Sequence, residues 1–102
     1  STAQEPNDIV ALDLKAPARV RKLTAVNEDV LAGKKLATVE EIWYPSRDGF
    51  RIHGWIVKPP DFDASRKYPL MLDIHGGPHG MYNTGFSFAR QEHAANGYVV
   101  LY

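Results

Sequence analysis

Two glycines directly after a short apolar run, in His75-Gly76-Gly77-Pro78, are the residues of this chain whose types and spacing best suit a reaction. Without Cβ atoms the backbone at such a pair can turn sharply and aim N–H groups into a cleft. An N–H held there stabilises the oxyanion of an acyl-transfer transition state, and one such donor is worth about 2.7–4 kcal/mol. Pro78 carries no N–H and stiffens the way out of the loop. A Gly-Gly pair also makes a plain strand-to-helix turn with no chemistry, and these residues by themselves leave both readings open.

Other side chains compete for a role. Gly85-Phe86-Ser87-Phe88-Ala89 approaches a G-x-S-x-G nucleophile elbow, which needs a strained turn between a strand and a helix. Here Met81-Tyr82-Asn83-Thr84 precedes it as a loop, Ala89 stands where the motif wants glycine, and only Glu92 and His93 follow, side by side. Ser87 is therefore expected to start a helix. His75 and His79 have a metal-pair spacing that helps only on a helix, which Gly76-Gly77-Pro78 forbids, and no third ligand is evident unless His53 lies near. No metal or cofactor is expected. His53 and His93 read as strand and helix surface, Arg90, Glu92 and Lys34-Lys35 as solvated charge, and Trp43 and Trp55 as core or interdomain packing.

The elements that must hold the loop are legible around it. Leu70-Met71-Leu72-Asp73-Ile74 reads as a short apolar strand leading into His75, and Phe86 to Asn96 as one helix with Phe88, Ala89, Ala94 and Ala95 inward. Asn96-Gly97 is a helix stop, and Tyr98-Val99-Val100-Leu101-Tyr102 a buried strand. Strand, Gly-rich loop, helix and strand make a βαβ unit and imply a parallel pair. Upstream, Ile42-Trp43-Tyr44 and Phe50 to Val57 flank Asp48-Gly49 as a hairpin, which Pro59-Pro60 ends. Asp8 to Leu14 and Val20 to Thr24 are shorter strand candidates, with a turn at Lys15-Ala16-Pro17-Ala18 and a polar connection starting at Asn27-Glu28-Asp29.

Bulk properties bound the function. The 102 residues are 44% hydrophobic and 24% charged, and twelve basic residues balance twelve acidic ones. Nothing steers such a chain toward nucleic acid or an anionic membrane. The run from Tyr98 to Tyr102 is too short to span a bilayer. Cysteine is absent, which fits either redox environment. A strand apolar on both faces at residues 98–102 needs layers above and below it, so the chain is expected to be part of a longer protein.

Leu72-Asp73-Ile74-His75-Gly76-Gly77-Pro78-His79-Gly80 resembles the oxyanion segment of the prolyl oligopeptidase family of serine peptidases, above all its acylaminoacyl-peptidase and dipeptidyl-peptidase-like branch. Ser46-Arg47-Asp48-Gly49, Ile52-His53-Gly54-Trp55, Lys58-Pro59-Pro60-Asp61-Phe62, Lys67-Tyr68-Pro69-Leu70 and Ala95-Asn96-Gly97-Tyr98-Val99-Val100 follow the family's order and spacing. Residues 40–102 carry this likeness, while Arg21-Lys22-Leu23-Thr24 followed by Asn27 resembles the last propeller strands before a catalytic domain. The resemblance implies an α/β fold class: the N-terminal part of an α/β-hydrolase domain, residues 36–102, preceded by the last strands of a β-propeller and a linker, residues 1–35. It implies that the Gly77 N–H donates to the oxyanion while His75 and Gly76 shape the loop. Relatives with tyrosine at the position of His75 use its hydroxyl, which this chain lacks. It further implies a Ser-Asp-His triad outside these residues, a peptide substrate, the remainder of the same polypeptide as partner, and an isolated chain without activity. Two rivals stand beside it: an esterase or lipase of the same fold, against which the propeller-like residues argue, and a non-catalytic interaction module retaining that fold.

Overall fold

The computed structural model describes residues 2–102. Two sheets organise it. The first is a hairpin of β1 (Val10–Asp13) and β2 (Ala16–Lys22), paired antiparallel. Its turn is Leu14-Lys15, closed by Asp13 Oδ1 accepting from the Lys15 N–H at 2.9 Å, rather than the Lys15–Ala18 turn that Pro17 suggests. Pro17 is tolerated inside β2 because the register breaks there. Leu12 faces Val20 while Asp13 faces Ala16, so Pro17-Ala18-Arg19 lie in a bulge that asks no N–H of the proline. Asp8 staples the hairpin's base, accepting from Thr24 Oγ1 at 2.8 Å and pairing with Lys22 at 2.9 Å. The expected polar connection after Asn27 contains a one-turn helix, α1 (Glu28–Leu31), whose Glu28 and Asp29 favour the positive end of its dipole.

The second sheet holds β3 (Val39–Pro45), β4 (Arg51–Val57), β5 (Leu70–Leu72) and β6 (Val99–Leu101), in the order β3-β4-β6-β5. The Asp48-Gly49 hairpin forms as its turn chemistry predicts, with Val39 opposite Val57 and Pro45 opposite Arg51. β5 and β6 pair in parallel, Met71 beside Val100, as a βαβ unit requires. β6 also pairs antiparallel with β4, Val57 opposite Val100, and the ladder continues as Trp55 and Tyr102 exchange both backbone hydrogen bonds at 2.8 and 3.0 Å. The sheet is therefore mixed.

α2 (Phe88–Ala95) crosses between β5 and β6. Ser87 caps it, Oγ accepting from the Arg90 N–H at 3.4 Å, which is the helix-start role expected of it. Gly97 ends it at φ 88°, where a Cβ would be strained. The Gly97 N–H donates to Ala94 and the Tyr98 N–H to His93, a Schellman pair that satisfies two orphan carbonyls. The core lies between α2 and the sheet: Ala37, Val57, Ala94, Val100 and Tyr102 are buried, with Val39, Trp55, Met71 and Tyr82 against them. Met71 points to this core, so pleat alternation puts Leu70 and Leu72 on the opposite face, where both are exposed. Tyr98 is exposed and Val99 and Leu101 half-buried, so the described residues cover only one face of β6 well. No helix among the described residues is long and apolar enough to cross a membrane.

The face α2 turns inward differs from the apolar reading. Ala94 is buried, but Phe88, Ala89 and Ala95 are exposed, and the other buried residue of the helix is Gln91. Its side-chain amide behaves like a strand residue: Oε1 accepts from the Ala37 N–H at 2.7 Å and Nε2 donates to the Ala37 carbonyl at 3.0 Å. A hydrophobicity pattern misses such a residue because its burial depends on partners far away along the chain.

Candidate active-site loop

β5 delivers the chain to Asp73, whose N–H still donates to Leu101 at 2.8 Å. Beyond it the ladder stops. Residues 74–86 make no backbone–backbone hydrogen bond among the described residues, and His75, Gly76, Gly77 and Pro78 are all exposed. Neither Gly76 nor Gly77 has positive φ, and a Cβ on either would meet nothing within 4 Å, so the turn itself does not demand glycine at these positions. Gly80 is the glycine the loop's path requires. A Cβ there would lie 2.6 Å from the Gly76 carbonyl oxygen and 3.0 Å from His75 Nδ1, because the loop folds back on itself.

His75 Nδ1 lies 2.8 Å from the Gly76 carbonyl, which only accepts, so the contact needs a proton on Nδ1. The ring also stands edge-on to Tyr82, centroids 5.3 Å apart. His79 is exposed. No group of three or more metal-ligating side chains occurs among the described residues.

The loop's two ends meet on one carboxylate. Asp73 Oδ1 accepts from the Tyr82 hydroxyl at 2.7 Å and Oδ2 from Arg90 Nε at 2.9 Å. The Arg90 guanidinium lies 3.6 Å from the Tyr102 ring centroid and 4.4 Å from that of Tyr82, a cation–π packing that holds it against both rings. Arg90 is thus no solvated charge, since its side chain is only 13% exposed. Burial pushes the Asp73 carboxyl up, but hydrogen bonds from Tyr82 and Arg90 and the guanidinium charge outweigh it and hold the group below the usual carboxylate range. The Tyr82 hydroxyl is raised, first because it donates to that carboxylate. Burial raises Tyr102. The signal that sequence reading missed was the spacing Asp73, Tyr82, Arg90, which carries no periodicity of its own.

An open cleft of about 550 Å³ lies beside the loop, lined among others by His53, Trp55, His75, Tyr82 and Tyr102. His53 is on the strand surface, paired with Glu41 at 2.9 Å and stacked on Trp43 at 4.2 Å. Trp55 packs on the core, whereas Trp43 is half-exposed under the Arg51 guanidinium. Lys35 forms an exposed ion pair with Asp61, Glu92 is exposed, and His93 is half-buried near Tyr98 rather than on the open helix surface.

No family model matches the chain. Among curated proteins, Uncharacterized peptidase YuxL of Bacillus subtilis is 38% identical over 82 residues, which is 80% of this chain and 12% of that protein. Dipeptidyl-peptidase 5 of Schizosaccharomyces pombe is 48% identical over 66 residues, 61% of this chain and 10% of its own length. Among solved structures, the acylaminoacyl peptidase of Pyrococcus horikoshii superposes with a TM-score of 0.79 at 30% identity, covering 99% of this chain and 16% of that one. Over this segment the chain is similar in sequence and fold to peptidases of the prolyl oligopeptidase family. It spans about an eighth of the length of the first curated relative it matches. These relatives are peptidases by name, and the mixed sheet of residues 39–101 is part of the fold shared with the solved acylaminoacyl peptidase.

Proposed function

We propose that this chain is the oxyanion-loop segment of a serine peptidase that hydrolyses short peptides or releases N-terminal residues. Residues 1–35 form the end of a β-propeller and its linker, and residues 36–102 the N-terminal portion of an α/β-hydrolase domain. The Ser-Asp-His triad comes from polypeptide outside this segment, so the isolated segment is inactive. In the intact enzyme the serine attacks the scissile carbonyl, histidine moves the proton, and the carbonyl oxygen becomes an anion. The Gly77 N–H and the N–H following the serine hold that anion, while Gly76 and His75 give the loop its shape.

The observation that carries this reading is the pairing of β5 and β6 in parallel around a Gly-rich loop, in a chain similar to peptidases over nearly its whole length. Two details of the loop support it. The Gly77 N–H donates to no group among the described residues, so it is available to a substrate oxygen. The space where Cβ atoms at Gly76 and Gly77 would stand is open, so another chain can approach the backbone closely.

The test uses the full-length protein, a serine-directed fluorophosphonate and a peptide substrate. Covalent labelling of one serine and peptide hydrolysis are expected. Gly77→Pro, which deletes the donor, is expected to lower kcat about 10²–10³-fold, the usual cost of one oxyanion donor. Gly77→Ala keeps the N–H and meets no neighbour here, so it should lose far less. A wild-type protein that neither labels nor hydrolyses peptides would overturn the reading.

A further inference from the structure

We propose that Asp73, Tyr82 and Arg90 form a positioning clamp that sets where the oxyanion loop stands relative to the sheet. The inference rests on the peptidase reading above and assigns roles to three residues outside the loop's His-Gly-Gly-Pro core.

Residues 74–86 have no backbone–backbone hydrogen bond among the described residues to guide them. Among the described residues, the side-chain hydrogen bonds that residues 73–82 make with one another are His75 to its neighbour Gly76 and Tyr82 to Asp73. The first shapes the loop locally but ties it to nothing else. The second joins the loop's two ends, and its anchor is firm: Asp73 is still on the β6 ladder through its N–H at 2.8 Å. Arg90 adds a third point from α2, using its Nε on the remaining Asp73 oxygen at 2.9 Å. Its guanidinium carbon then lies close to the Tyr82 and Tyr102 rings, and the Tyr102 hydroxyl donates to the Asn83 carbonyl at 3.3 Å, just past Tyr82. Strand, helix and both loop ends thus converge on one carboxylate. A lysine at Arg90 could replace the charge but not the broad guanidinium that reaches Asp73 and both rings at once.

A positioning role matters because a displacement of about 1 Å at a reacting group costs on the order of 10²-fold in rate. None of the three side chains needs to touch substrate, and they act through the place they give to Gly77.

The experiment compares the full-length wild type with Tyr82→Phe, Asp73→Asn, Arg90→Lys and Arg90→Met, with Tyr98→Phe as an exposed-tyrosine control. Steady-state kcat and KM, the rate of fluorophosphonate labelling and the thermal midpoint are measured for each. Tyr82→Phe removes only a hydroxyl, so it is expected to remain folded while kcat and labelling rate fall about 10- to 100-fold. KM should stay within about twofold, and Arg90→Lys should retain more activity than Arg90→Met. An active wild type whose Tyr82→Phe and Asp73→Asn variants keep kcat within about twofold, or lose kcat only together with KM, overturns the clamp and leaves the peptidase reading standing. A wild type that neither labels nor hydrolyses overturns both.

Discussion

Replacing Gln91 by leucine removes the amide that pairs α2 with the buried backbone of Ala37. Both contacts are short, 2.7 Å from the Ala37 N–H to Oε1 and 3.0 Å from Nε2 to the Ala37 carbonyl, and Ala37 is fully buried. Leucine leaves the N–H and the carbonyl unpaired, at about 1–3 kcal/mol each. The extra apolar surface returns about 1–2 kcal/mol. The net loss is then about 3 kcal/mol, or on the order of 100-fold in the opening equilibrium of this part of the structure. Hydrogen exchange of the full-length protein reads it directly, because the Ala37 amide is protected by the bond that disappears. Exchange about 100-fold faster at Ala37 is expected, with the β3–β4 hairpin turn unchanged. Gln91→Glu supplies the sign. Its carboxylate still accepts from the N–H but faces the carbonyl with an acceptor, so burial and that carbonyl raise its folded pKa above the unfolded value of about 4.3. Below that value the protonated acid donates again and the variant approaches wild type. The stability is lost as pH rises through the raised folded value. Unchanged Ala37 protection in Gln91→Leu, or a Gln91→Glu defect that shrinks toward neutral pH, would refute the reasoning.

Three further outcomes follow from the same geometry. Gly80→Ala places a Cβ 2.6 Å from the Gly76 carbonyl oxygen, so the loop must shift, and the peptide hydrolysis proposed for the full-length protein should fall at least tenfold, about 1.4 kcal/mol, with little change in thermal midpoint. Gly97→Ala forces a Cβ into the left-handed region at φ 88° and should cost about 1–2 kcal/mol of stability, measured by urea denaturation. The depressed Asp73 carboxyl contributes stability that is complete above its unfolded pKa of about 3.9 and is lost as pH falls through the lower folded value. Asp73→Asn should therefore flatten the acid limb of the stability–pH curve, which thermal melts between about pH 5 and 2 would show.

Local chemistry in the sequence sufficed for much of this. Asp48-Gly49 placed the β3–β4 hairpin, Asn96-Gly97 the end of α2, and Ser87 its beginning, because turns and caps are decided by the few residues that form them. The strand–loop–helix–strand order implied the parallel β5–β6 pair by chain geometry alone. The motif around Gly76-Gly77 pointed to the peptidases that the chain is similar to. Where local chemistry and burial disagreed, the sequence misled. Pro17 reads as a turn residue but lies in a strand bulge, and Phe88 reads as core but is 60% exposed.

Tertiary structure alone decided which face of α2 turns inward and how the loop is held. Arg90 and Gln91 are polar, and polar residues on a helix normally face water. Their burial is stable only because Asp73 meets Arg90 from 17 residues away and Ala37 meets Gln91 from 54. The same holds for β6, whose antiparallel partner β4 ends more than 40 residues before it. Partners that distant leave no periodicity in the chain, so a pattern of types and spacings cannot announce them. The loop's residues are written in the sequence, and their place in space is set by contacts that exist only once the sheet and helix have packed.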